Sequence, residues 1–396
     1  MPWMISEDQL DPDQKEFINN ELRKQGNIWI QGFPGSGKSV LLVYCLKSIV
    51  QDQPRARVAV VVYTHSLIDM FKVGIQELNL PSTNIEIMTF YEFMGIVKNK
   101  KIDNSKRYDY IFCDEVQDLV PSVLRAMVTR AKRVFVAGDS NQSIYDKDPK
   151  WQETVVDCSE ICTILNARPF KLNMIHRLTR SIISAIQKLS PSMNIWSSKR
   201  DLTKQDVNIR LCNAKTLEEE VKYVYQEAQK GARVGDTSAI LLPTRSCIRK
   251  FVSLLLNAFQ KPSWQETKNT YGKTNFDDLN QYLKTNGIKL QFVGSGYGSL
   301  HQAEQNKEII LMTYHSSKGL DFDNVFLPFL NTNLSLPIDS EKAESLFMVA
   351  MTRSRKNLYL TYTGNVHEYV NRFKDDCTKI SIDPPTKPSS TISFDF

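Results

Sequence analysis

The sequence predicts an α/β protein of two domains with parallel sheets, and three observations carry that expectation. At 396 residues the chain is long for one hydrophobic core and comfortable for two. Short apolar, β-branched runs alternate along it with stretches of helical periodicity, the pattern of strands joined by crossover helices. A glycine-rich turn ending in Lys38-Ser39 stands between the first such strand and the helix that follows.

Taken in order, the runs at 27–31, 57–63, 85–89, 108–113 and 133–137 read as buried strands of the first half. Those at 169–172, 207–212, 238–242, 290–293, 308–312, 324–328 and 358–361 repeat the theme in the second. Between strands lie helices with legible ends. Thr216 followed by Glu219 is a capping-box pattern, Leu217, Val221 and Val224 form an apolar stripe, and Gly231 suits the stop. The expected division is a first domain at 1–168, a second at 169–376 and a flexible tail at 377–396. Pro384, Pro385, Pro388, Ser389 and Ser390 mark that tail as extended. Its terminus, Phe394-Asp395-Phe396, reads either as a docking segment for a protein partner or as a frayed end.

Composition narrows the class. With 41% hydrophobic and 24% charged residues, the chain is globular rather than disordered or fibrous. No run approaches the roughly 20 apolar residues that cross a bilayer, and Met1-Pro2-Trp3-Met4 lacks a signal pattern. The seven cysteines are scattered, with Cys158 and Cys162 the closest pair, so reduced structural thiols and a cytoplasmic location are expected. A formal charge of +6 is compatible with a polyanion partner but does not select one.

Gly32-Phe33-Pro34-Gly35-Ser36-Gly37-Lys38-Ser39 matches G-x-x-x-x-G-K-[ST] in the context that motif requires. Gly32, Gly35 and Gly37 let backbone N–H groups close around phosphate oxygens at a helix N-terminus. Lys38 would neutralise β/γ-phosphate charge, and Ser39 would offer its hydroxyl to Mg²⁺. Leu42, Cys45, Leu46 and Ile49 form the buried stripe of the helix behind them. Asp114-Glu115 directly follows the strand Tyr110-Ile111-Phe112-Cys113, where side chains of an open α/β sheet point into the ligand crevice. Asp114 can hold Mg²⁺ through water, and Glu115 can orient and deprotonate an attacking water. Taken alone, the same pair also reads as an acidic surface loop.

Asp114-Glu115-Val116-Gln117-Asp118 resembles the D-E-x-Q-D box of superfamily 1 helicases of the UvrD/Rep type. The other boxes of that family follow in order. Leu10-Asp11-Pro12-Asp13-Gln14 resembles the Q motif, Val62-Tyr63-Thr64-His65-Ser66 the strand-end box that touches nucleic acid, and Thr89-Phe90-Tyr91 a further box. The segment from Ala137 through Gly138-Asp139-Ser140-Asn141-Gln142-Ser143-Ile144-Tyr145 is similar to G-D-x-x-Q-S-I-Y. Leu172-Asn173-Met174-Ile175-His176-Arg177 resembles L-x-x-N-Y-R, and Thr313-Tyr314-His315-Ser316-Ser317-Lys318-Gly319-Leu320-Asp321-Phe322 resembles T-x-H-x-x-K-G-L-E-F. Val349-Ala350-Met351-Thr352-Arg353 matches V-A-x-T-R.

The resemblance implies two RecA-like P-loop domains with ATP and Mg²⁺ in the cleft between them. It implies that Gln14 reads the adenine edge, Gln142 senses the γ-phosphate, Asp321 stands near the ribose, and Arg177 and Arg353 reach the γ-phosphate as arginine fingers. It further implies that Tyr63, Thr64, Thr89, Tyr145, Thr313 and His315 contact the nucleic acid. The activity implied is an ATP-dependent translocase or helicase on single-stranded DNA, moving 3′-to-5′. An RNA-acting motor and a nucleotide-driven switch subunit of a repair or anti-phage defence assembly are the alternatives. Helical spacing places Leu346, Val349, Ala350 and Arg353 on one face, which fits either a finger or an arginine paired to an internal carboxylate.

Departures from the family pattern are specific. His176 replaces a tyrosine that packs on adenine, Asp146-Lys147-Asp148 follows Tyr145 where an aromatic is usual, and Asp321 shortens a glutamate. Trp151 stands nearby as a possible substitute base wedge. Lys98, Lys100, Lys101, Lys106 and Arg107 read either as a phosphate-following loop or as solvated surface.

Overall fold

The computed structural model describes residues 4–81, 83–98, 108–139, 142–176, 178–191, 199–200, 205–332, 334 and 340–382. Its strands are β1 (Asn27–Gly32), β2 (Val58–Val62), β3 (Ile85–Thr89), β4 (Tyr108–Cys113), β5 (Ala131–Gly138) and β6 (Ala167–Leu172). There follow β7 (Met174–Ile175), β8 (Lys199–Arg200), β9 (Asn208–Ala214), β10 (Ser238–Leu242) and β11 (Leu290–Phe292). The last are β12 (Ile309–Thr313), β13 (Phe322–Leu327), β14 (Ser354–Thr363) and β15 (Thr378–Ile382).

The strands form two sheets. The first has the order β3-β2-β4-β5-β1-β6 and the second β11-β12-β10-β13-β14-β9-β15, while β7 and β8 pair apart. Every pairing in both sheets is parallel. Parallel strands need crossover helices on both faces, so successive residues are buried against opposite layers. In the first sheet Ile28, Ile30, Val58 and Val60 pack into one core layer, while Trp29, Ala59 and Val61 pack into the other. The second sheet divides likewise, with Ala239 and Leu241 on one side and Ile240 and Leu242 on the other. The result is two parallel-sheet α/β units of the kind expected for RecA-like domains.

Local signals are mostly obeyed. The capping box at Thr216 forms in both directions, Glu219 N donating to Thr216 Oγ1 and Thr216 N to Glu219 Oε2. The helix runs Leu217–Arg233, past Gly231, and Gly235 takes the left-handed turn at φ +92°.

Two expectations are corrected. The run 169–172, expected to open the second half, belongs to β6 and pairs with β1 in the first sheet, so the passage between sheets falls after Leu172. The segment expected to begin the tail at 377 instead supplies β15, which pairs in parallel with β9. Residues 383–396, including Phe394–Phe396, lie outside the described residues. All seven cysteines are free thiols. No helix among the described residues is long and apolar enough to cross a membrane.

A candidate nucleotide and nucleic-acid site between the sheets

The phosphate loop sits at the carboxyl end of β1 and opens the helix Lys38–Asp52. Gly37 is left-handed at φ +77°, and a Cβ there would stand 2.4 Å from Gln14 Nε2. Glycine is therefore required on two counts, backbone conformation and space. Gln14 is fully buried. Its backbone N–H donates to Asp11 Oδ1 at 2.8 Å while its Oε1 accepts from Asp11 N at 3.0 Å, a capping box that starts the helix Pro12–Asn19. The capping box turns the Gln14 amide onto the phosphate loop, where Nε2 lies 3.5 Å from both Ser36 O and Gly37 O. Lys38 Nζ donates to Gly32 O at 2.8 Å and Phe33 O at 3.2 Å, so the ammonium stays inside its own loop.

The acidic box follows β4. Asp114 is buried and accepts a hydrogen bond from the Ser39 hydroxyl. Burial, reinforced by the neighbouring Glu115 charge, pushes the Asp114 carboxyl up to about 6. Glu115 occupies the left-handed region at φ +57°, uncommon for a residue with a side chain, and this re-aims its carboxylate. Burial would raise its proton affinity, but Lys318 and Lys38 outweigh that and hold it below the usual carboxylate range. Gln117 Nε2 donates to Glu115 Oε2 at 2.6 Å and fixes its orientation.

Lys318 comes from the second sheet's side of the cleft, beyond β12. Its ammonium is buried, forms an ion pair with Asp118, donates to Gln142 O at 2.6 Å and lies 3.6 Å from Glu115 Oε2. Burial opposes its charge, yet Asp118 and Glu115 keep it above the ordinary lysine value. The sequence displayed this lysine inside a quoted box. Its burial against carboxylates 200 positions away was not legible there.

One cavity of about 630 Å³ joins these groups, lined by Lys38, Ser39, Glu115 and Gln142 from one side and by Asp321 and Arg353 from the other. Arg353 lies two residues beyond the helix Ser340–Met351 and is fully buried. Its Nε donates to Val349 O at 2.7 Å, Nη1 to Leu320 O at 3.2 Å and Nη2 to Thr352 Oγ1 at 2.8 Å. The guanidinium is thus mounted on the helix, and its charge helps hold Glu115 ionised. His176 also lines the cavity. Its N–H donates to Gly35 O at 2.9 Å, and its ring Nε2 lies 2.5 Å from Asp11 Oδ2. Arg177 lies outside the described residues, as do Lys100, Lys101, Lys106, Arg107, Ser140 and Asn141.

A line of aromatic rings crosses the gap between the sheets. Tyr63 stacks on Phe90 at 5.1 Å and on Tyr145 at 5.2 Å, and Tyr145 meets His315 from the second sheet at 5.3 Å. Trp151 packs edge-on against Phe90 and Tyr91 and is held through Asp148, which accepts from Trp151 N, Lys150 N and the Tyr91 hydroxyl. Burial, with help from Lys318, lowers His315 to about 4, so its imidazole is neutral near pH 7. The three threonines are engaged locally. Thr64 Oγ1 accepts from Leu67 N at 3.3 Å, Thr89 Oγ1 donates to Glu92 Oε2 at 3.0 Å, and Thr313 Oγ1 pairs with Ser316 Oγ at 2.9 Å. These threonines shape the turns on which the rings stand.

The fold and site define a phosphate-loop nucleotide-binding protein with its crevice between two parallel sheets. Residues 14–148 match a family described as AAA domain, and residues 263–365 match the UvrD-like helicase C-terminal domain. Together the two matched segments support a superfamily 1 helicase of the UvrD/Rep type. It is 23% identical over 314 residues to the putative ATP-dependent DNA helicase R568 of Acanthamoeba polyphaga mimivirus, covering 74% of this chain and 41% of that protein. It is 45% identical over 65 residues to the ATP-dependent DNA helicase Rep of Buchnera aphidicola subsp. Schizaphis graminum, covering 15% of this chain and 10% of that one. The solved structure of the PRRSV helicase aligns at a TM-score of 0.43 and 14% identity, over 85% of this chain and 52% of that chain. The chain therefore spans under half the length of these two curated relatives.

Proposed function

We propose that this chain hydrolyses ATP and uses the cycle to move along single-stranded DNA, in the 3′-to-5′ direction. The observation that carries the reading is Glu115. It is a buried, ionised carboxylate beside the phosphate loop, steadied by Gln117 and faced across the cleft by Lys318 and Arg353.

A triphosphate in this cavity draws Lys38 from its loop carbonyls to the phosphate oxygens, with Gln14 and His176 at the base end and Asp321 at the ribose. The Ser39 hydroxyl lines the cavity and the Asp114 carboxylate lies behind it, an all-oxygen donor pair that would suit a hard dication such as Mg²⁺. When bound, that ion supplies neutralisation of the charge developing on the transferred phosphoryl. Glu115 accepts the proton of the attacking water, and Gln142 lies at the γ-phosphate end. Arg353 reaches the triphosphate from the second sheet's side, so ATP favours closure and hydrolysis releases it. Tyr63, Tyr145 and His315 meet the bases and phosphates of the strand, at about 1–3 kcal/mol for each stacked base. The relatives' names, both ATP-dependent DNA helicases, support the same substrate class.

Steady-state ATPase assays with and without 3′-tailed, 5′-tailed and RNA oligonucleotides test the proposal. Stimulation by single-stranded DNA is expected, with a loss of about 10²–10⁴-fold in kcat for Glu115→Gln. Lys38→Ala is expected to abolish turnover through lost phosphate binding. Stimulation by RNA alone would move the substrate to RNA, and absence of stimulation by any strand would defeat the motor reading.

A further inference from the structure

We infer that Lys342 is a positioning residue through which the helix Ser340–Met351 couples nucleic-acid contact at Tyr145 to the setting of Arg353. The inference rests on the motor reading above and concerns regulation of the same site.

Lys342 lies in the first turn of that helix, on the second sheet's side. Its Nζ donates to Ser143 O at 3.2 Å and to Ser143 Oγ at 3.4 Å, and stands 3.8 Å from Asp146 Oδ1. All three acceptors belong to the first sheet, in the short loop that follows β5. That loop carries Gln142, which lines the triphosphate cavity, and Tyr145, which stacks on Tyr63 and meets His315 at a tilt. Between them Ile144 is fully buried in the same core layer as Leu346, Phe347 and Val349 of the helix. The loop is thus held by the ammonium at the start of one helix, and its Ile144 shares that helix's core layer.

The arginine stands two residues past the other end of the helix. Arg353 Nε donates to Val349 O in the last turn of the helix and Nη1 to Leu320 O, so the guanidinium is tied both to the helix and to the Leu320 loop. Twelve helical residues span about 18 Å, and their burial from Leu346 through Met351 makes the segment move as a unit. A base entering at Tyr145 shifts the loop, the loop shifts Lys342, and the helix delivers that shift to Arg353 as a rigid-body change. Lys342 and Asp146 are part-exposed, at 22% and 62%, so the contact adds little to stability and acts through geometry. The carboxylate of the pair comes from a departure in this chain, since Asp146 begins the Asp146-Lys147-Asp148 segment where an aromatic was expected.

The test is the ratio of oligo(dT)-stimulated to basal ATPase in the full chain, with oligo(dT) affinity measured separately by fluorescence anisotropy. Lys342→Met keeps the aliphatic stem and removes the charge. It should retain basal turnover and DNA affinity within about twofold while the stimulation ratio falls about fivefold or more. Lys342→Arg, which restores the donors, should recover most of the ratio. Wild-type stimulation in Lys342→Met, equal impairment in Lys342→Arg, or a loss of DNA affinity that accounts for the whole effect would each overturn the inference alone. An unstimulated wild-type protein would overturn the motor reading and the inference with it.

Discussion

His315 illustrates how a single residue's chemistry depends on its neighbours. In the unfolded chain its imidazole titrates near 6.5, whereas burial and the nearby Lys318 ammonium lower it to about 4 in the fold. Between those values the unfolded state binds the extra proton, so stability rises with pH through that window and is fully present above about 6.5. Acidification from pH 7 to 5 should therefore cost about 2 kcal/mol through this residue. Urea denaturation of wild type and His315→Gln at both pH values checks it. A difference between the two proteins that does not change with pH would show that the histidine titrates normally. The residue scale also explains which side chains the sequence could assign. Lys38, Ser39, Asp114 and Glu115 stand on one turn and one strand end, where Lys38 bonds its own loop and Ser39 donates to Asp114, so short-range geometry sets their positions. Lys318 and the Asp11–His176 pair depend on partners 200 and 165 positions distant, and no local pattern encodes such a partner.

At the scale of elements, Gly319 on the second sheet's side meets Leu67 on the first sheet's side. Gly319 has φ +79°, and a Cβ there would lie 2.6 Å from Leu67 Cδ2. Leu67 is fully buried in the first turn of the helix His65–Glu77, so its methyl has little room to retreat. Gly319→Ala should destabilise the protein by about 1–3 kcal/mol, combining left-handed strain with overpacking. In a double-mutant cycle with Leu67→Ala, the overpacking part should disappear and the backbone part remain. Fully additive losses in guanidinium titrations would mean that the two residues do not meet. Strand existence was largely legible, because β-branched runs such as Val58–Val62 admit few other readings. Strand membership was not. β6, with exposed Arg168, Pro169 and Lys171, reads as an edge strand, but only its register on Asn27–Gly32 assigns it to the first sheet. The strand Thr378–Ile382 was hidden because its alternation is mostly polar and exposed, which is ordinary for an edge.

For the whole molecule, side chains bridge the cleft, and the nucleotide adds to those bridges. Lys318 on Asp118, Lys342 on Ser143, and Tyr145 on His315 already join the two halves. An ATP analogue that binds both walls should stabilise the pair as one cooperative unit. At a hundredfold excess over its dissociation constant the gain is about 2.7 kcal/mol. Differential scanning calorimetry should show a single transition moving upward with a non-hydrolysable analogue and no movement in Lys38→Ala. Two transitions of which only the first-sheet one moves would mean that the nucleotide contacts one wall alone.

What the sequence determined by itself was the chemistry of each wall: a phosphate loop, an acidic strand end, a run of aromatic residues and a helix followed by an arginine. Each follows from short-range rules of periodicity, capping and turn geometry, which act within a few residues. Only the tertiary structure decided how the walls face each other: which lysine pairs with the acidic box, which helix grips the Gln142 loop, and which threonines cap turns. Those outcomes depend on burial and on contacts between segments far apart in the chain, where ion pairing and close packing are set by three-dimensional proximity.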